Sequence, residues 1–238
     1  MRILITTPAG RIGRRILPEL LAPEFSVRVI SRHPNQLPAG IQQEVEIVRG
    51  STDDVDILRR ALEDMEALFW CIPRLPFEER SAQAHYERFA RAASLAIRET
   101  GTPRVVAISA AGEGLAPTAE RSSGWRAIEE ILNQSGAAIR HLRCAWFTEN
   151  LVEQTSSTPD EGMISYPVPG DIPIRMRAIR DLADVVLRWL VRRDWSGIES
   201  IAIPRPQDFS NLSFTQSVAA IDQTVEYCTG YEEIAPEH

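Results

Sequence analysis

Residues 2–13 read RILITTPAGRIG, an apolar strand-like run that breaks into a turn holding two glycines three positions apart. Arg2–Thr6 suits a buried β-strand, and Ile12, Ile16 and Leu20 then recur every fourth residue, as on one face of a helix. Strand, glycine-bearing turn and helix in that order is where α/β proteins seat a phosphate. Glycines there permit a tight turn and close backbone approach, and the helix start offers unbonded N–H groups to an anion. Gly10 and Gly13 fill two of the turn positions, but Thr7 fills the remaining one and Pro8 follows it. Proline drives the β-branched threonine towards extended geometry and away from positive φ. Two readings stay open on these residues. Thr7, Gly10, Arg11, Ile12 and Gly13 form a phosphate cradle of altered build, or the two glycines only let a helix pack closely on a strand.

Outward from this turn, apolar runs alternate with helical patterns, the order expected of a parallel sheet covered by helices. Pro18 interrupts the first helix and predicts a kink or an early end there. Further strands are predicted at Ser26–Ile30, Glu44–Val48, Ala67–Ile72, Arg104–Ser109 and Ile139–Arg143. Helices are predicted to open near Asp53 and Asp54, to run from Phe77 to Glu99 before Gly101 and Pro103, and to include Arg126–Gln134. The result is a doubly wound α/β domain over residues 1–153. Residues 154–238 then read as a small C-terminal α/β lobe interleaved with the sheet edge. There, Pro, Gly and Ser concentrate over residues 155–174, Asp181 suits the cap of a helix DLADVVLRWLV, and Ile201–Ile203 suits a strand. Ser213 and Gln216 form a capping box for a helix reaching Val225.

Composition narrows the chemistry. All 26 basic residues are arginine, so the chain has no lysine. Guanidinium stays protonated where an amine titrates, which excludes a Schiff-base enzyme, a lysine-dependent phosphate loop, and a dehydrogenase using a Tyr-x-x-x-Lys pair. A net charge of −7 argues against direct nucleic-acid binding. No apolar run approaches a membrane span, and the chain enters a strand pattern without a secretory leader, so a cytoplasmic location is expected. Cys71, Cys144 and Cys228 lie far apart, and His33, His85, His141 and His238 show no ligand spacing, so no metal site is expected. Cys71 and Cys144 fall in apolar segments and read as buried, inert thiols.

The end of the second strand decides between two dinucleotides. An NAD site usually places a carboxylate there for the ribose hydroxyls, whereas VISRHP offers Ser31 and Arg32. A guanidinium at that place can fork onto a 2′-phosphate. If a dinucleotide binds, NADP is therefore expected over NAD, with Arg32 as its anchor and Arg11 assisting; the other reading of Arg32 is a solvated residue at a strand end.

An ordered set of segments carries a family likeness along nearly the whole chain: RILITTPAGRIGRR, VRVISRHPNQL, VEIVRGSTDDVDILRRALEDMEALFWCIP, VVAISAAGEG, LRCAWFTENL and IRDLADVV. Together they resemble the NmrA-like family of atypical short-chain dehydrogenases/reductases. That resemblance implies a Rossmann domain binding NADP or NAD, and a small lobe closing over the nicotinamide. It carries the loop glycines onto Gly10 and Gly13, the 2′-phosphate arginine onto Arg32, and the nicotinamide neighbours onto Phe147 and Asn150. Departures accompany it. The first loop glycine is Thr7, an aspartate near the adenine is Ser51, and the LRPG-type turn reads Arg143-Cys144-Ala145-Trp146. Arg121 and Trp125 stand where a Tyr-x-x-x-Lys pair would be. Many relatives continue past the segment resembling EEIAPEH, which implies a reduced substrate lobe.

Three functions remain open at this level. The first is reduction of a quinone or other small electrophile by direct hydride transfer, which needs positioning more than an acid–base pair. Ser109 at the end of strand five and Tyr166 are its candidate catalytic residues, Ser109 reading alternatively as a strand-end residue that caps backbone. The second is a non-catalytic redox sensor acting through a regulatory protein partner, and the third is a domain that has lost the nucleotide. The expected partners are a small-molecule substrate and either a second copy or a regulatory protein.

Overall fold

The computed structural model describes residues 1–74, 81–110, 119–144, 146–147, 149–150, 163–166, 173–174, 176–203, 209–210 and 226–229. Seven strands make its main sheet: β1 (Arg2–Ile5), β2 (Ser26–Ser31), β3 (Glu46–Arg49), β4 (Ala67–Trp70), β5 (Arg104–Ala110), β6 (Ala138–Cys144) and β7 (Ile198–Ala202). Their order is β7-β6-β5-β4-β1-β2-β3, and every neighbouring pair is parallel. The direction of winding reverses between β1 and β4, which is the switch point where open α/β sheets bind ligands. This is the doubly wound Rossmann arrangement expected from the sequence.

The apolar runs are nearly continuous because the central strands are covered on both faces. Helices α1 (Gly13–Ile16), α2 (Ala39–Glu44), α3 (Val55–Leu62), α4 (Ala82–Thr100), α5 (Ala119–Asn133) and α6 (Ile179–Val191) accompany the sheet. Leu4, Ile30, Leu68, Trp70, Val105, Ala107 and Ile139 form one core with Leu58 of α3, Phe89 of α4, and Ile128 and Leu132 of α5. Asp54 caps α3 by accepting from the amides of Asp56 and Ile57 at 2.9 and 3.2 Å. Ser81 caps α4, and Gly101 closes it in the left-handed conformation at φ 69°.

Several boundaries differ from the sequence reading, each for a local reason. Of the two outcomes expected at Pro18, the early end is the one found: α1 stops at Ile16 and a single 3-10 turn, Pro18–Leu20, follows. Glu44 closes α2, so the third strand begins at Glu46. Helix α2 buries none of its residues and therefore leaves no apolar period to read. Asp181 lies in the first turn of α6, not at its cap; the carboxylate of Glu149 accepts from the Ile179 amide at 2.8 Å. Phe77, Ser213 and Gln216 lie outside the described residues.

The chain forms two compact units. The first comprises residues 1–111, 119–144 and 180–203, and the second residues 112–118, 145–179 and 204–238. The expected boundary at 153/154 therefore assigns residues 180–203 differently, because β7 pairs with β6 and belongs to the sheet. Within the second unit, Trp146–Phe147 pairs with Met176–Arg177, Pro173–Ile174 with Phe209–Ser210, and Met163–Tyr166 with Glu226–Thr229. Among the described residues no helix is long and apolar enough to cross a membrane.

A buried arginine fastens the added strand. Arg140 on β6 donates to the carbonyls of Ile139, Gly197 and Ser196 at 3.1–3.2 Å. Its guanidinium lies 5.0 Å from the ring centre of Trp189 and 4.4 Å from that of Trp195. Charge-assisted bonds to carbonyls and two cation–π contacts hold β6, β7 and α6 together. Arg140→Ala is expected to lower unfolding stability by about 3 kcal/mol, read from urea titration, and Arg140→Lys to recover less than half of that, because an ammonium cannot fork onto several carbonyls.

Candidate functional site

The first loop is built by a β-turn rather than by glycine torsion. The Gly10 amide donates to the Thr7 carbonyl at 3.1 Å, with Pro8 between them. The non-glycine position at positive φ among the described residues is Asp64, so Thr7 keeps ordinary torsions, as its place before proline predicts. Gly10 and Gly13 also lie outside the positive-φ set, so space is what selects them. A Cβ on Gly13 would stand 2.1 Å from the Thr7 carbonyl oxygen and 2.9 Å from Pro8, and on Gly10 3.2 Å from that same oxygen.

Helix α1 begins without a side-chain cap at Ile12. The amides of Ile12 and Gly13 donate to no acceptor among the described residues, while the Arg14 amide already donates to Gly10. Unbonded amides at a helix start are what an anion needs. Across the switch point, the Thr6 hydroxyl donates to the Phe69 carbonyl at 3.0 Å and accepts from the Cys71 amide at 3.1 Å. It thereby stitches the diverging ends of β1 and β4 beneath the loop. His85 of α4 shares a 3.1 Å hydrogen bond with the Pro73 carbonyl and fixes the segment after β4.

At the next strand ends, Ser31 is buried and accepts from the His33 amide, while Arg32 is exposed and forms no ion pair among the described residues. The register sets Ile5 beside Val29, so Arg32 and the loop leave adjacent strands at the same edge of the sheet. Ser51, standing in the adenine aspartate's place, hydrogen-bonds Asp53. Asp53 also pairs with Arg88 at 3.0 Å. Burial opposes its charge, but the bonds from Ser51 and Arg88 hold its carboxyl below the usual range. The neighbouring Thr52 hydroxyl is buried with no partner among the described residues.

Ser109 does not present a free hydroxyl. It is 4% exposed and donates to Glu129 Oε1 of α5 at 2.6 Å. The same carboxylate accepts from Arg143 Nε and Nη2 at 3.0 and 2.6 Å, and from Ser200 at 3.3 Å. Burial works against the charge on Glu129, yet the bonds from Arg143 and Ser109 keep its carboxyl below the ordinary range, hence ionised at neutral pH. His141 beside it shares a 2.8 Å bond with Asn133. Burial pushes the imidazole down, against the pull of Glu129, so it is neutral at pH 7. The ties of Glu129 to Ser109, of Asp53 to Arg88 and of His85 to Pro73 carry no local signal in the sequence, because each partner lies 12 or more residues away.

Phe147 and Asn150 belong to the second unit, on the strand Trp146–Phe147 and the helical turn Glu149–Asn150, and both are half-buried. Tyr166 ends the strand Met163–Tyr166 of that unit. Arg121 and Trp125 occupy the first turns of α5. Cys144 is buried, whereas Cys71 is only half-buried at the residue level, just past β4. Burial of its thiol outweighs a hydrogen bond with Thr7 and pushes its pKa up to about 11.

A family profile described as NAD(P)H-binding matches residues 9–172. No curated protein sequence matches the chain. Among solved structures, the Citrobacter sp. triphenylmethane reductase complexed with NADP(H) superposes with a TM-score of 0.78 at 16% identity, over 96% of this chain and 79% of that one. An NADPH-dependent quinone oxidoreductase of Escherichia coli, complexed with NADPH, superposes with a TM-score of 0.76 at 18% identity, over 95% and 78%. An NAD-dependent NDP-hexosamine 5,6-dehydratase of tunicamycin biosynthesis superposes with a TM-score of 0.76 at 15% identity, over 96% and 83%. These three share the fold.

Gly13→Ala is expected to destabilise the protein by about 3 kcal/mol, since the methyl meets backbone that cannot swing aside, whereas Gly10→Ala costs under about 1 kcal/mol; thermal melts compare them. Alkylation of Cys71 by iodoacetamide is expected to be slow at pH 7 and to climb steadily towards pH 11, as the burial-raised pKa requires of a thiolate nucleophile. Mass spectrometry of the modified peptide reads the rate.

Proposed function

The chain belongs to this NAD(P)H-binding family, and from that premise we propose that it binds NADPH and uses it to reduce a quinone or related small electrophile. The observation that carries the reading is the edge shared by β1 and β2. There, uncapped α1 amides, a glycine with no room for a side chain and an exposed arginine with no ion pair among the described residues converge on what a phosphorylated dinucleotide requires. The fit is residue by residue. Ile12 and Gly13 offer amides to the diphosphate, with Thr7 and Gly10 shaping the turn and Arg11 beside it. Arg32 pairs with the 2′-phosphate, and Ser51 and the buried, unpartnered Thr52 hydroxyl flank the adenine side. When bound, NADPH supplies a hydride, which with a proton from solvent converts a quinone to a hydroquinone and leaves NADP⁺.

This chain's own groups do little acid–base work, because Ser109 has committed its proton to Glu129 and no lysine exists to serve as base. A reaction driven by positioning and exclusion of water tolerates that, and alcohol oxidation does not. The NADP(H)-bound and NADPH-bound neighbours support the choice of substrate class and dinucleotide, while the NAD-dependent neighbour shows that the fold also serves NAD. The committed serine equally favours a second reading, a non-catalytic sensor that binds the dinucleotide and signals through a protein partner.

Calorimetry is expected to give tighter binding of NADPH than NADH, and Arg32→Ala to weaken NADPH about tenfold or more while leaving NADH nearly unchanged, as a lost charge-assisted pair predicts. Equal or tighter NADH binding overturns the assignment of Arg32. At 100 times its dissociation constant NADPH adds about 2.7 kcal/mol of stability, which a thermal melt detects. NADPH oxidation with a quinone panel then separates the reductase, which turns over, from the sensor, which does not.

A further inference from the structure

The clamp around Glu129 has a direction. Asn133 meets His141, and one helical turn earlier Glu129 meets Arg143, two residues further along β6. Four helix residues advance about 6 Å and two strand residues about 6.6 Å, so α5 runs antiparallel to β6 and stays in step with it. Extending the same step carries Trp125, and then Arg121, beyond the level of Arg143. Strand β6 ends at Cys144. The first two turns of α5 therefore overhang the carboxyl ends of β5 and β6, and Glu129 is the last described tie before the overhang. It grips Ser109 and Arg143, the penultimate residues of β5 and β6, together with Ser200 of β7.

We propose that Glu129 is a positioning residue for the reducing half of the site: through Arg143 and Ser109 it sets the height of the α5 overhang, the turns bearing Arg121 and Trp125, above the strand ends on the far side of the switch point from the phosphate loop. This rests on the dinucleotide reading of the preceding subsection. The phosphate loop and Arg32 leave β1 and β2, whereas the overhang stands over β5 and β6, and a dinucleotide laid across the switch point spans both. Loss of the clamp shifts the overhang and leaves the phosphate and adenine contacts in place. Glu129 touches neither end itself.

The test compares wild type, Glu129→Gln and Glu129→Asp, each as the full chain. Glutamine keeps the size and loses the charge; aspartate keeps the charge with a shorter reach. Four quantities are read: melting temperature, NADPH dissociation constant, emission of the bound reduced nicotinamide, and kcat and KM with a quinone. Expected for Glu129→Gln are an NADPH dissociation constant within twofold of wild type, a shifted and weakened bound-nicotinamide emission, and kcat at least tenfold lower with KM little changed. Glu129→Asp recovers part of both emission and kcat. Wild-type emission and kcat in Glu129→Gln overturn the proposal. So does a dissociation constant that weakens in proportion to the fall in melting temperature, since that marks a general loss of structure. If wild type binds NADPH but reduces no quinone, the reductase reading fails by itself, and bound-nicotinamide emission alone decides the role of Glu129. A wild type that binds no NADPH overturns both.

Discussion

Helix α1 rests on the Thr7 carbonyl, and it does so because residue 13 has no side chain. A methyl there would lie 2.1 Å from that oxygen, inside any permissible contact, with Pro8 closing the other side. The constraint works in both directions. It brings the helix start against the end of β1, where the amides of Ile12 and Gly13 face the carboxyl edge of the sheet. It also lets a threonine–proline pair take over the turn, because the tightness comes from the docked helix and not from an unusual torsion at Thr7. Gly10 closes the turn onto the same carbonyl, so one backbone oxygen organises both glycines.

That arrangement explains what sequence could and could not reveal. The alternation of strands and helices and the glycine-bearing turn after β1 were legible because each is written in local apolar period and in glycine placement. Pro18 announced the end of α1, since a missing amide acts where it stands. Helix α2 was not legible, for it buries nothing and has no stripe to display. The cap of α6 went to Asp181 on local grounds, whereas Glu149, thirty residues away, supplies the carboxylate. The same reason hid Glu129: an acid in a helix reads as solvated until Arg143, Ser109 and Ser200 are known to surround it. Long-range charge satisfaction has no period.

Buried charge recurs at the added edge of the sheet. The segment Ala138–Cys144 carries Arg140, His141 and Arg143, two on one face and one on the other, where a central strand would carry valines. Each is answered by a different element: Arg143 by Glu129, His141 by Asn133, and Arg140 by carbonyls and the rings of Trp189 and Trp195. Removing one partner from such a pair leaves an uncompensated buried group, which costs several kcal/mol, more than the pair itself contributes. The arrangement consequently favours one register between β5, β6 and β7 over slipped alternatives, because a two-residue slip would strand every one of these groups.

The hydroxyls at the strand ends follow a common rule. Thr6 is spent on the backbone of β4, Ser31 on the amide of His33, and Ser109 on Glu129. Side chains that elsewhere serve as donors to a substrate are here turned inward to secure the sheet edge. Facing outward at the ends of β1 and β2, among the described residues, are the unbonded amides at α1 and the exposed guanidinium of Arg32, next to exposed His33. Amides at a helix start and a guanidinium both prefer anions, and neither can give up or take a proton at neutral pH. An edge so equipped suits a ligand with fixed negative charge, as the proposed dinucleotide has. On the proposed reading a reduced quinone draws its proton from water, and the placement of α5 over the strand ends, set by the Glu129 clamp, is then the variable that governs the reacting end.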